Sequence, residues 1–122
     1  MSAFRAFELQ AIRLMATGAL SEEQLQSLGN VESLASYEYT GCGYFLTVRL
    51  ASLPVEPKTL SDPPVVGNSG EVQAGFVLFL GNQELTLECH TWGSVDVPSD
   101  FRDREVVVST PPVNFIDLRN AT

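Results

Sequence analysis

One lysine, one histidine and one tryptophan are all that 122 residues hold of those three types. Lys and Arg together number 7 against 15 Asp and Glu, for a formal net charge of −8 at pH 7. A nucleic-acid binder neutralises phosphates with exposed cations, so no nucleic acid is expected as a partner. A lone histidine leaves no set of imidazoles for a metal centre. The two cysteines, Cys42 and Cys89, are too few and too far apart in sequence for a disulfide scaffold or a zinc finger. Both are expected as free thiols, with no metal and no cofactor. Apolar runs are short as well: none approaches the roughly 20 residues that span a bilayer, and no membrane partner is expected. Acidic Glu8 interrupts the first apolar stretch and only Arg5 precedes it, which makes a poor signal peptide. The expected compartment is the cytoplasm.

What the chain does hold is apolar material, at 44% hydrophobic residues against 18% charged ones. That is enough to fill one core, and 122 residues is short for two, so residues 1–122 are read as a single domain. Residues 1–61 carry four basic and six acidic side chains, or −2, and residues 62–122 carry three and nine, or −6. The acidity therefore belongs to the second half.

The rest is organised around one hairpin. Residues 75–80 (GFVLFL) are almost all β-formers, the turn Gly81-Asn82-Gln83 follows, and in 84–92 (ELTLECHTW) the apolar residues alternate with polar ones. Before it, Phe4, Phe7, Ala11, Leu14 and Met15 recur at helical spacing within 2–17, with Arg5, Glu8 and Arg13 lying elsewhere. Gly18 stops that helix. Ser21 to Gln24 has the form of a capping box opening a second, short helix. A weak alternation over 31–40 and a clear one over 44–50 predict a second strand pair, joined at Thr40-Gly41-Cys42-Gly43. Residues 52–70 hold four of the seven prolines and predict a long loop without ladder. Residues 104–109 (REVVVS) predict a fifth strand, buried on both faces or lying at an edge under the helix. The apolar tail 114–118 is expected to dock on the body or on another subunit, a route to a homo-oligomer. The fold class is α+β, an N-terminal helical hairpin on a mainly antiparallel sheet of about five strands. Its core is predicted from Phe7, Leu14, Leu46, Val48, Phe76, Leu78, Leu80, Leu85 and Leu87.

The blocks Tyr39 to Phe45 (YTGCGYF), Gly75 to Leu80 and Leu87 to Gly93 (LECHTWG) resemble a pattern in small uncharacterised bacterial proteins of a domain of unknown function. Those relatives carry a Thr-Gly-x-Gly-aromatic turn and a strand ending in an acidic residue, an aromatic and glycine. The resemblance implies an α+β fold with these blocks as neighbours, and it brings no catalytic residues.

No stretch has the specificity of a catalytic motif. Cys42 and His90 are a candidate nucleophile and base, if the hairpins bring them together. Thr40 to Gly43 lacks the lysine and following helix of a phosphate loop. Glu84, Glu88, His90 and Trp92 share one strand face, where carboxylates are candidates for acid/base work but more often form a solvated surface. Asp96, Asp100 and Asp103 lack the pattern of a calcium loop. The expected function is non-enzymatic: an interaction protein, of inhibitor or immunity type, that meets a basic protein through an acidic face with Trp92, His90, Glu88, Glu84 and Tyr44 in contact. The alternative is a small-ligand module whose apolar helix-sheet pocket opens between Tyr37, Tyr44 and Trp92. A Cys/His or carboxylate enzyme is the third reading.

Overall fold

The computed structural model describes residues 2–111. Helix α1 (Ala6–Ala16) opens where the Glu8 carboxylate turns back to accept from the Arg5 backbone N–H at 2.7 Å, which satisfies one of the free donors of the first turn. Its last turn closes with bonds from the N–H groups of Ala19 and Leu20 to Ala16 O, and Gly18 takes φ +94° there. Helix α2 (Glu22–Leu28) has the expected capping box: Gln24 N donates to Ser21 Oγ at 3.1 Å and Ser21 N to Gln24 Oε1 at 2.7 Å.

Seven strands follow in one antiparallel sheet: β1 (Ser36–Tyr39), β2 (Gly43–Arg49), β3 (Lys58–Leu60), β4 (Val66–Ser69), β5 (Val72–Gly81), β6 (Glu84–Thr91) and β7 (Val107–Ser109). The spatial order is β1-β2-β6-β5-β4-β7, with β3 pairing the far half of β5. The α+β class stands, with seven strands in place of about five. Both extra strands lie in the stretch expected to form a long loop. Strands β3 and β4 are three and four residues long, and they fit between the prolines, with Pro57 just ahead of one and Pro63-Pro64 ahead of the other. Proline forbids a ladder only where its own N–H is needed. What makes the strands is the ten-residue length of β5, whose free edge offers bonds to both.

The middle of the sheet is the predicted hairpin. Asn82 and Gln83 sit at φ 58° and 60°, the two positive values of a type I′ turn, whose twist matches the strands it joins. The loop after β2 grips that turn, since Asn82 N donates to Val55 O at 2.8 Å and Gln83 N to Pro54 O at 2.9 Å. In register, Leu46, Leu87 and Leu78 stand side by side on β2, β6 and β5, all without exposed surface. With Val48, Leu85, Phe76 and Leu80 they form the face on which α1 packs Phe7, Ala11, Ile12 and Met15.

Two core expectations are corrected here. Leu14 is 41% exposed, because the buried stripe of α1 runs through residues 7, 8, 11, 12, 15 and 16 and leaves position 14 on its flank. Glu8, expected to lie off the apolar stripe, is instead fully buried within it. The valine strand is shorter than expected and takes the edge alternative: Val106 and Val108 pack against the core while Val107 is 69% exposed. The apolar tail 114–118 lies outside the described residues. No described helix is long and apolar enough to cross a membrane.

Candidate functional site

Pleating divides the central strands between two faces, and the two helices pack on only one of them. The opposite face carries Glu38 from β1, Phe45, Thr47 and Arg49 from β2, Glu84, Thr86, Glu88 and His90 from β6, and Val77 and Phe79 from β5. Trp92 continues β6 by one step, its N–H donating to Gln73 O at 2.8 Å, and so projects on the same side as His90. Four of the five predicted contact residues, Glu84, Glu88, His90 and Trp92, therefore share this outer face.

A glycine shapes its aromatic end. His90 lies between Gly43 and Gly75 in the ladder, and a Cβ on Gly75 would come within 2.5 Å of His90 Cε1 and 2.7 Å of Trp92 Cε3. Without that Cβ, imidazole and indole settle onto the backbone of β5, their ring centres 6.3 Å apart. Val66, partner of Gly75 on β4, is only 4% exposed although it stands outside the helix-side core. Its cover therefore comes from the outer face. Trp92 is held from below and remains 49% exposed above.

Charge on this face is unevenly paired. Arg49 takes Glu84 in an ion pair, and the hydroxyls of Thr47 and Thr86 bond each other at 2.8 Å. Glu38 and Glu88 have no ion-pair partner among the described residues. Glu84 and Glu88 are four positions apart with Thr86 between, about 13 Å along a strand, and one is already paired. They do not form a close acid/base couple.

Tyr44, the fifth predicted contact residue, stands on the other face and is buried, so it cannot share a pocket mouth with Trp92. Its hydroxyl donates to Glu8 in the chain's main buried polar cluster. Arg102 approaches the same carboxylate with two N–H groups, Nε to Oε2 at 2.7 Å and Nη2 to Oε1 at 2.8 Å, and Nη2 also donates to Ala3 O at 2.8 Å. The guanidinium lies 5.6 Å from the Tyr37 ring centre and 5.9 Å from that of Tyr44. Burial, and then the Glu8 charge, push the Tyr44 hydroxyl far above the usual phenol range, so it stays a donor. Burial acts to lower the Arg102 pKa, but the bonds and charge of Glu8 outweigh it and the pKa rises. This bidentate pair fastens α1 to the 3₁₀ turn Phe101–Asp103. Sequence reasoning missed it, because residues 8 and 102 carry no local sign of each other.

The other candidates resolve as structure. Thr40 N donates to Gly43 O at 2.8 Å in a tight turn whose Gly41 takes φ +99°. A Cβ on Gly43 would lie 2.0 Å from Cys89 O, so that glycine answers a backbone approach. The register brings the turn bearing Cys42 beside His90, yet no hydrogen bond joins the two side chains: the Cys42 thiol lies 3.9 Å from the Thr40 hydroxyl and His90 Nδ1 lies 3.2 Å from Thr91 O. Asp100 and Asp103 are ion-paired with Arg104 and Arg5. Among the described residues no three His, Cys, Asp or Glu side chains converge as metal ligands. Grooves of about 150 Å³ and 450 Å³ lie between α1 and α2 and between α1 and the residues from Arg102 to Val106, both away from the outer face.

Both cysteines are free, Cys42 exposed and Cys89 buried. Burial pushes the Cys89 thiol well up, which withholds the reactive thiolate. A thiol reagent added to the native protein is expected to label Cys42 in the fast phase, with Cys89 at least about a hundredfold slower because it must wait for opening of the sheet. Equal rates at both would contradict this placement.

Comparison of the chain with protein-family models, with curated proteins and with solved structures finds no match.

Proposed function

We propose that the protein is an interaction protein whose uncovered sheet face receives a basic protein partner, with Trp92 as its aromatic anchor. The observation that carries this reading is the state of that face. It offers a half-exposed indole seated on Gly75, the exposed ring of Phe79, and two carboxylates without an ion-pair partner among the described residues, in a chain of net charge −8. Apolar anchors ringed by polar groups are where interfaces hold most of their binding energy, and tryptophan leads among them. The net charge adds long-range attraction for a cationic surface, which salt screens beyond about 10 Å at 0.1 M. An inhibitor or immunity-type role fits such a chain, because blocking a partner needs only a complementary face. The opposing view is that acidity serves solubility and Trp92 serves packing. Its support is the contact with Gly75, but packing alone does not account for Glu38 and Glu88, which lack an ion-pair partner among the described residues, on the same surface.

Capture from the source cell compares three baits: wild type, Trp92→Ala with Glu88→Lys, and Glu23→Lys on the distant helix α2. Wild type and Glu23→Lys are expected to recover one basic protein, released as salt is raised. The double variant is expected to lose it by about thirtyfold or more, the cost of an anchoring tryptophan. Equal recovery by all three would place the interface elsewhere, and recovery by none would leave this face without its partner.

A further inference from the structure

The register sets Glu38, Phe45 and Glu88 side by side on β1, β2 and β6. Directly opposed Cβ atoms lie about 5 Å apart, so the two carboxylates bracket the ring at about 10 Å from each other. Phe45 is half-buried and Glu38 exposed. On the ring's own strand the neighbours on this face are Gly43 and Thr47, neither tall enough to roof it. The two carboxylates flank the ring from the strands on either side of it, so a cation laid over the ring would meet negative charge on both edges. Glu84, in the same strand face, has a cation in Arg49, whereas Glu38 and Glu88 have none among the described residues.

Resting on the interaction reading above, we infer that this row is the partner's charge anchor, a seat for one arginine side chain laid over Phe45 between Glu38 and Glu88. Arginine fits the seat better than lysine. Its planar guanidinium stacks on an aromatic face, loses less hydration in doing so, and presents N–H edges on both sides to two carboxylates at once. Lysine offers a compact, strongly hydrated charge that meets one carboxylate or the ring face. The row also lies beside His90 and one further step from Trp92 along β6, so one partner segment crossing the face reaches both anchors.

The probe is a blocked penta-arginine peptide, titrated into the isotope-labelled full chain and followed by amide shifts, with penta-lysine as the comparison. Shifts are expected to concentrate on 36–39, 43–49 and 84–92, with penta-arginine bound at least about threefold tighter than penta-lysine. Phe45→Leu keeps every charge and is expected to erase that preference, while Glu38→Gln and Glu88→Gln each weaken both peptides about threefold. Shifts spread evenly over Glu22, Glu23 and Asp96 as well, or an arginine preference that survives Phe45→Leu, would overturn the seat. Unshifted signals from the buried residues Ile12, Leu28 and Phe101, which lie away from this face, confirm that the variants remain folded. If the cellular partner is lost with Trp92→Ala but held by Phe45→Leu, the seat fails and the interaction reading stands. If Trp92→Ala holds it too, that reading fails on its own account.

Discussion

Replacing Arg102 with methionine is expected to destabilise the protein by about 3–5 kcal/mol, measured as a fall in the urea midpoint. Methionine keeps the packing of the stem but strands the Glu8 carboxylate, which has no exposed surface and would retain only the Tyr44 hydroxyl and the Arg5 backbone N–H as donors. An ion taken from water is tolerable inside a protein only while its charge is met, so the loss is larger than the net worth of the pair. That asymmetry gives the control. Adding Glu8→Leu to Arg102→Met removes the stranded charge and is expected to recover more than half of the loss, leaving mainly the orphaned Tyr44 hydroxyl. A single Arg102→Met variant within 1 kcal/mol of wild type would mean that the Glu8 carboxylate is reached by solvent in the fold, against its burial.

Leu87→Asp is expected to abolish the cooperative fold. Leu87 lies on the central strand β6 between Leu46 and Leu78, all three fully buried. Truncating such a leucine costs about 2–5 kcal/mol from lost burial and the cavity alone. The aspartate adds a charge between two fully buried leucines, and the sum reaches the whole stability of about 5–15 kcal/mol that a domain has to lose. Far-ultraviolet dichroism without a thermal transition is the expected readout. Leu14→Asp makes the same chemical change on the flank of α1 and is expected to keep a cooperative transition, which ties the effect to position.

The central hairpin was legible because its information is local. Alternation over 84–92 names the buried residues Leu85, Leu87 and Cys89, and the Gly-Asn turn fixes the register in which Leu78 meets Leu87. The outer face followed from the same alternation, so Glu84, Glu88, His90 and Trp92 were found together before any fold was known. What was hidden depends on distant partners. Strands β3 and β4 exist because β5 is long enough to pair with both, and three or four residues between prolines carry no period of their own. Glu8 reads as a surface residue of an amphipathic helix until Arg102 arrives from the other end of the chain. Tyr44 is in phase with the predicted core residues Leu46 and Val48, so the alternation over 44–50 already put it on the buried side, where the ladder sets it opposite Cys89. Gly75 read as the start of a strand; its service to the Trp92 ring needs the neighbouring strand to be in place.

The one tryptophan makes the central claim directly measurable. Acrylamide quenching of Trp92 emission, in the free protein and with the captured basic partner added, reports on the outer face and nothing else. The expected result is ready quenching in the free chain, a blue shift with strong protection on binding, and an association rate that falls steeply with salt. An indole already shielded in the free protein would show the face covered within the chain itself. A partner that binds while Trp92 stays as open to quencher as before would contradict the account outright.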